Sequence, residues 1–141
     1  MPLSRLYQSR LLEHNRDPSN HFALPDATHS ARGTDALCGD DLTMWLRIAD
    51  DVIDAASWSG EACAVTTASA SMLTSWLPGR DVDEVRAAAG RFDDLLSDPD
   101  RPDDAELGEI NTLRAVAAFP SRRRNAQLPW KTVLAALDAD S

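Results

Sequence analysis

The chain has 141 residues, 43% of them hydrophobic, and its 23 acidic and 14 basic side chains give a net charge of −9. That length suits a single domain, residues 1–141, able to bury roughly 68% of its unfolded surface, so neither disulfide nor metal is needed merely to hold a core. Nucleic-acid affinity rests on phosphate contacts, which an acidic chain opposes, and the short run Arg122-Arg123-Arg124 does not reverse that exclusion. No apolar run approaches the roughly 18 residues of a membrane span, and the start "MPLSRLYQSRLL" lacks the apolar stretch of a signal peptide. A cytoplasmic protein with no membrane partner is expected.

In chain order, Leu6, Tyr7 and Leu11 recur at helical spacing within residues 4–14, and "NRDPSN" ends that helix with turn formers. Residues 21–37 read as a loop, with an additional strand placed around Phe22 to Thr28. Leu42, Met44, Leu46 and Ile48 alternate with Asp41, Thr43, Trp45 and Arg47, the pattern of a half-buried strand. "ADD" makes a turn into a second strand, "VIDAASWSG", paired antiparallel with the first.

Beyond Gly60 the period becomes helical. A helix begins near Ala62 or Cys63, carries Val65, Ala68, Met72, Leu73 and Trp76 on its apolar side, and stops at Pro78-Gly79. Asp81 and Glu84 form a capping-box pattern for the next helix, whose apolar residues are Val82, Val85, Ala89, Phe92 and Leu96. "SDPDRPDD" breaks it, and the acidic stretch from Asp93 to Glu109 reads as a solvated face. Leu107, Ile110, Leu113 and Val116 mark a third helix ending before Pro120. The last helix is placed from Leu128-Pro129, since proline suits a first turn, with Val133, Leu134 and Leu137 buried. Strands followed by a run of helices indicate an α+β fold. Trp45, Trp58, Trp76 and Trp130 read as packing or partner-contact residues.

The chain has two cysteines, Cys38 in "LCGDD" and Cys63 in "SGEACAVTTASASML". In a cytosolic setting such residues read as thiols or metal ligands before they read as a structural bridge, and otherwise as small buried hydrophobes. In extended chain Cys38 and Asp40 point the same way, and Gly39 between them permits backbone angles closed to other residues. Cys63 sits where a helix N-terminus favours negative charge. A hairpin leading into that helix can return it to Cys38 and Asp40, and two thiolates with a carboxylate make a plausible zinc set.

The segments "LYQSRLLEHNRDPSN", "LCGDDLTMWLRI", "SGEACAVTTASASMLTSWLPGR" and "FPSRRRNAQLPW" resemble the SufU/IscU-type iron–sulfur cluster assembly proteins, which share the NifU N-terminal-like fold. Within them the resemblance is to the SufU branch, whose insertion residues 81–118 resemble. It implies a small, mostly antiparallel three-stranded sheet packed against several helices. It also implies that Cys38, Asp40 and Cys63 hold zinc, or less readily iron or a transient iron–sulfur cluster. A cysteine desulfurase is the implied partner, with Cys38 attacking its persulfide. Arg122 matches an arginine near the site, placed to pair with Asp40 when a ligand is exchanged. A sulfur-transfer or scaffold protein is implied more than a self-contained enzyme, as a monomer or weak dimer.

The family has a third cysteine before "AQLPW", where this chain has Asn125. An amide oxygen is a neutral and weak zinc donor beside thiolate, so a zinc site here carries one negative charge fewer and an exchangeable fourth position. A [2Fe–2S] cluster, which takes four anionic ligands, fits such a set poorly. Three readings remain open: an active sulfur acceptor, a partner-binding member that relays no sulfur, or a site completed by His14, His21, His29, Asp41 or Glu61. A zinc hydrolase using the open position ranks last, for want of a general base.

Overall fold

The computed structural model describes residues 3–139. Three strands form an antiparallel meander, β1 (His29–Asp35), β2 (Asp40–Ala49) and β3 (Val52–Glu61), in the order β1-β2-β3. The alternation in β2 behaves as its period of two requires: Leu42, Met44 and Leu46 are fully buried and Asp41 is exposed. Asp50 and Asp51 both take positive φ, 53° and 62°, the conformation a two-residue hairpin between right-twisted strands demands.

The third strand lies at His29–Asp35, and the expectation at Phe22–Thr28 is corrected. The sequence hides β1 because its inward positions, Ala31 and Gly33, are small. Helix α4 (Pro120–Asp138) lies directly on it: a Cβ at Gly33 would sit 2.1 Å from Thr132 Oγ1 and 3.3 Å from Leu128. Close helix–strand approach replaced the usual large apolar residues.

Helix α1 (Leu3–Arg16) packs on α2 (Ala64–Trp76), which also contacts β3 and α4. Helix α2 is buried without interruption from Thr66 to Thr74, because "TTASAS" presents no side chain too large for neighbours on every side. Helix α3 (Val82–Ser97) starts as expected: Asp81 caps it and accepts from the Glu84 N–H at 2.8 Å.

Residues Ala105–Val116 form 3₁₀ turns broken at Gly108, where φ is +53°, not the single α-helix expected. The apolar spacing there is three residues throughout (Leu107, Ile110, Leu113, Val116), which is the 3₁₀ period.

Helix α4 begins at Pro120, eight residues before the expected Leu128-Pro129. Pro120 is the first-turn proline, and Pro129 lies inside the helix. The core joins β2 and β3 to α2, α3, α4 and the 3₁₀ turns, with Phe92 stacked on Trp130 at 5.1 Å. Among the described residues no helix is long and apolar enough to cross a membrane.

Two predictions follow from the backbone and the surface. Gly60 has φ +106°, and a Cβ there would lie 2.2 Å from the Asp41 carbonyl oxygen, so Gly60→Ala should lower unfolding free energy in urea by about 2 kcal/mol or more. Gly90→Ala, in exposed helix with open space around the new Cβ, should raise it by about 0.5–1 kcal/mol.

Hydrogen bonds from Arg47 and Arg32 hold the carboxyls of Asp54 and Asp41 below their ordinary range. Such groups contribute stability above their unfolded pKa and lose it as pH falls through the lowered folded value. The melting temperature should therefore stay level from neutrality to about pH 5 and fall below about pH 4, less steeply in an Asp41→Asn, Asp54→Asn variant.

Candidate functional site

The site forms where the β1–β2 turn, the end of β3, the start of α2 and the first turns of α4 meet. Strand pairing sets Asp35 opposite Asp40. The turn between them is closed by Asp35: its carboxylate accepts from the Leu37 N–H at 3.0 Å and its carbonyl from the Cys38 N–H at 3.3 Å. Gly39 follows at φ +72°, a left-handed position that suits glycine. Cys38 is half-buried on this turn, beside Leu37, which is 85% exposed.

Asp40 is 2% exposed and accepts hydrogen bonds on both oxygens. Oδ1 takes the Cys63 N–H at 2.7 Å; Oδ2 takes the Thr66 hydroxyl at 2.6 Å and the Asn125 amide N–H at 3.2 Å, with Cys63 Sγ at 3.8 Å. Gly60 makes this possible, because its positive φ turns the end of β3 inward and delivers Cys63 as N-cap of α2. Thr66 lies three residues on, one turn into that helix.

Asn125 is fully buried. Its Nδ2 donates to Asp40 and lies 3.5 Å from Asp35 Oδ2, while its Oδ1 accepts from the Cys38 thiol at 3.5 Å. Pro129, four residues later, has no N–H for the Asn125 carbonyl, which lies instead 3.4 Å from the Thr66 hydroxyl. Asp35 is also bonded by Arg124 Nε at 3.0 Å, and that hydrogen bond holds its carboxyl below the ordinary range.

The structure thus brings Asp40 and Cys63 into direct contact, and Cys38 joins them through Asn125. Arg122, expected near the site as a partner for Asp40 on ligand exchange, is exposed in the first turn of α4 and makes no hydrogen bond to Asp40 among the described residues. The cation at the site is Arg124, which together with Asp35 and Thr66 went unnoticed in the sequence. Thr66 had a signal, its i+3 spacing from a helix-starting cysteine.

The other candidate ligands are engaged elsewhere. His14 Nδ1 faces the Ser71 hydroxyl at 2.6 Å and its Nε2 faces Glu109 at 2.9 Å. His21 stacks on Trp58 at 3.8 Å, His29 faces Thr28, Asp41 is paired with Arg32, and Glu61 is exposed. Among the described residues, no three histidine, cysteine or acidic side chains are grouped to hold a metal ion.

Residues 6–126 match the family model described as the NifU-like N terminal domain. The chain belongs to that family. Among its relatives, the zinc-dependent sulfurtransferase SufU of Bacillus subtilis is 30% identical over 131 residues, covering 93% of this chain and 88% of SufU. The iron-sulfur cluster assembly scaffold protein IscU of Streptococcus pyogenes is 30% identical over 135 residues, covering 96% and 84%. The crystal structure of a nitrogen-fixing NifU-like protein, N-terminal part, from Brucella abortus superposes with a TM-score of 0.84 at 22% identity, covering 96% of this chain and 94% of that one. That likeness is one of fold. The α+β sheet-and-helix fold expected from the sequence is therefore the NifU-like one.

In this NifU-like site Thr66 is the shortest donor to a buried carboxylate. Thr66→Val keeps the volume and removes that donor, and it should cost about 1.5–3 kcal/mol in urea unfolding at neutral pH.

Proposed function

We propose that this protein works in iron–sulfur cluster assembly in the cytoplasm, as a single domain that accepts sulfur from a cysteine desulfurase on Cys38. The observation that carries the reading is the contrast between two thiols of one site. Cys63 is fixed by Asp40 and Thr66 at the head of a buried helix. Cys38 is half-buried on a surface turn, its thiol donating to the Asn125 oxygen at 3.5 Å, and it is flanked by an exposed leucine that suits a protein partner. The names of the Bacillus and Streptococcus relatives support the assignment.

In the transfer, the Cys38 sulfur attacks the outer sulfur of the donor's cysteine persulfide. A new S–S bond forms on Cys38, the donor's S–S bond breaks, and the donor cysteine leaves with its electron pair and takes up the Cys38 proton. No oxidant is consumed. The exposed guanidinium of Arg122, one turn before Asn125, supplies positive charge for the anionic persulfide.

Zinc, the ion in the SufU relative's name, would here have to be held by Cys38, Asp40 and Cys63, with the Asn125 oxygen fourth. The residues do not fit it as arranged. Asn125 turns its N–H donors to the carboxylates and its oxygen to Cys38. The transfer starts from the hydrogen-bonded Cys38 thiol. The same asparagine supports a second reading, a member that binds the desulfurase and relays nothing.

Incubation with a cysteine desulfurase and cysteine, followed by intact-mass and peptide analysis, separates the two. The chain should gain one sulfur on the Cys38 peptide and none on the Cys63 peptide, and Cys38→Ser should reduce the gain to background. Binding to the desulfurase without any sulfur on Cys38 would establish the binding-only reading instead.

A further inference from the structure

We infer that the Asn125 carboxamide takes the place of a metal ion, so that the site is assembled, and Cys38 kept as a hydrogen-bonded thiol, without a cation. Pairing of β1 with β2 sets two carboxylates opposite each other, Asp35 and Asp40, an arrangement that is destabilising unless something positive lies between them. A divalent ion would do it. Here the Asn125 amide nitrogen lies 3.2 Å from Asp40 Oδ2 and 3.5 Å from Asp35 Oδ2, placing one N–H toward each, and Arg124 completes the neutralisation from the Asp35 side.

The orientation of the amide follows from chemistry. An ionised carboxylate only accepts, so a reversed amide would set its oxygen against two carboxylates and leave the Cys38 S–H facing an NH₂ donor. Asp40 has no idle oxygen either: Oδ1 holds the Cys63 N–H and Oδ2 holds Thr66 and Asn125. To admit zinc, the chain would have to break the bonds of the fully buried Asn125 side chain and leave Asp35 without its amide donor. A cysteine at 125 would reverse these terms, offering a ligand and no amide N–H. Asparagine with no metal, and cysteine with one, are each self-consistent.

The inference rests on the contacts of Asn125 and not on sulfur transfer, so a chain that accepted no sulfur could still satisfy it. The test compares the wild-type chain with Asn125→Cys in two measurements. In competition with a chromophoric zinc chelator, the variant should hold one zinc per chain and the wild type should release its zinc, a difference on the order of 100-fold or more in affinity. In timed alkylation of Cys38 by iodoacetamide, one equivalent of zinc or an excess of chelator should leave the wild-type rate unchanged. In the variant zinc should slow the reaction and chelator restore it. A wild-type chain that keeps one zinc against the chelator, with Cys38 alkylation slowed by that zinc, overturns the inference. If the variant folds only with zinc, or not at all, the two wild-type measurements decide alone.

Discussion

The burial of one carboxylate, Asp40, governs this end of the molecule. With 2% of its surface exposed it has almost no access to water, and a buried charge left without donors costs several kcal/mol. Its donors come from two regions far apart in sequence: the backbone of Cys63 and the hydroxyl of Thr66 at the head of α2, and the amide of Asn125 on α4. Each has its own structural cause. Gly60 bends β3 so that Cys63 arrives as an N-cap, helix spacing then carries Thr66 inward, and Gly33 lets α4 descend onto β1 far enough for Asn125 to reach. The close approach of α4 and the turn at Gly60 are therefore conditions for the site as well as for the fold.

Asn125 differs from a cysteine at the same position in what it offers the acidic pair beside it. A thiolate brings a third negative charge to Asp35 and Asp40 and requires a cation to hold them together. An amide brings two N–H donors and an acceptor, which match two carboxylates and one thiol. In the metal-independent reading, the change removes the need for a ligand exchange before Cys38 can react. The cost of that arrangement is rigidity around Asp40, since both of its oxygens already accept hydrogen bonds.

Most of the fold was legible because strong periodicities reported it. The alternation of β2, the Asp50-Asp51 turn, the small-residue helix α2 and the Asp81 cap all lie where their patterns place them. Two of the misses, β1 and the start of α4, share one origin. Strand β1 carries Ala31 and Gly33 where a strand normally carries large apolar residues, and α4 opens with the polar run "SRRRN" that reads as loop. Each concealed the other, because the small residues of β1 exist to receive α4. The site shows the same limit. Cys38, Asp40 and Cys63 stand out by residue type, whereas Asp35 and Arg124 became visible only once strand pairing and the early start of α4 set them beside Asn125.

Two cysteines that look equivalent in sequence hold unequal positions, and the inequality gives the site a direction. Cys63 heads a helix buried from Thr66 to Thr74; its N–H is committed to Asp40, and its sulfur lies 3.3 Å from the Thr66 hydroxyl and 3.8 Å from Asp40 Oδ2. Cys38 lies on a glycine-containing turn, and an S–H···O contact at 3.5 Å is a weak tether. Swinging it outward breaks one such contact and leaves the Asp40 donors in place. In the sulfur-acceptor reading proposed above, a thiol that can move without disturbing the buried charge is the one suited to meet a sulfur donor at the surface.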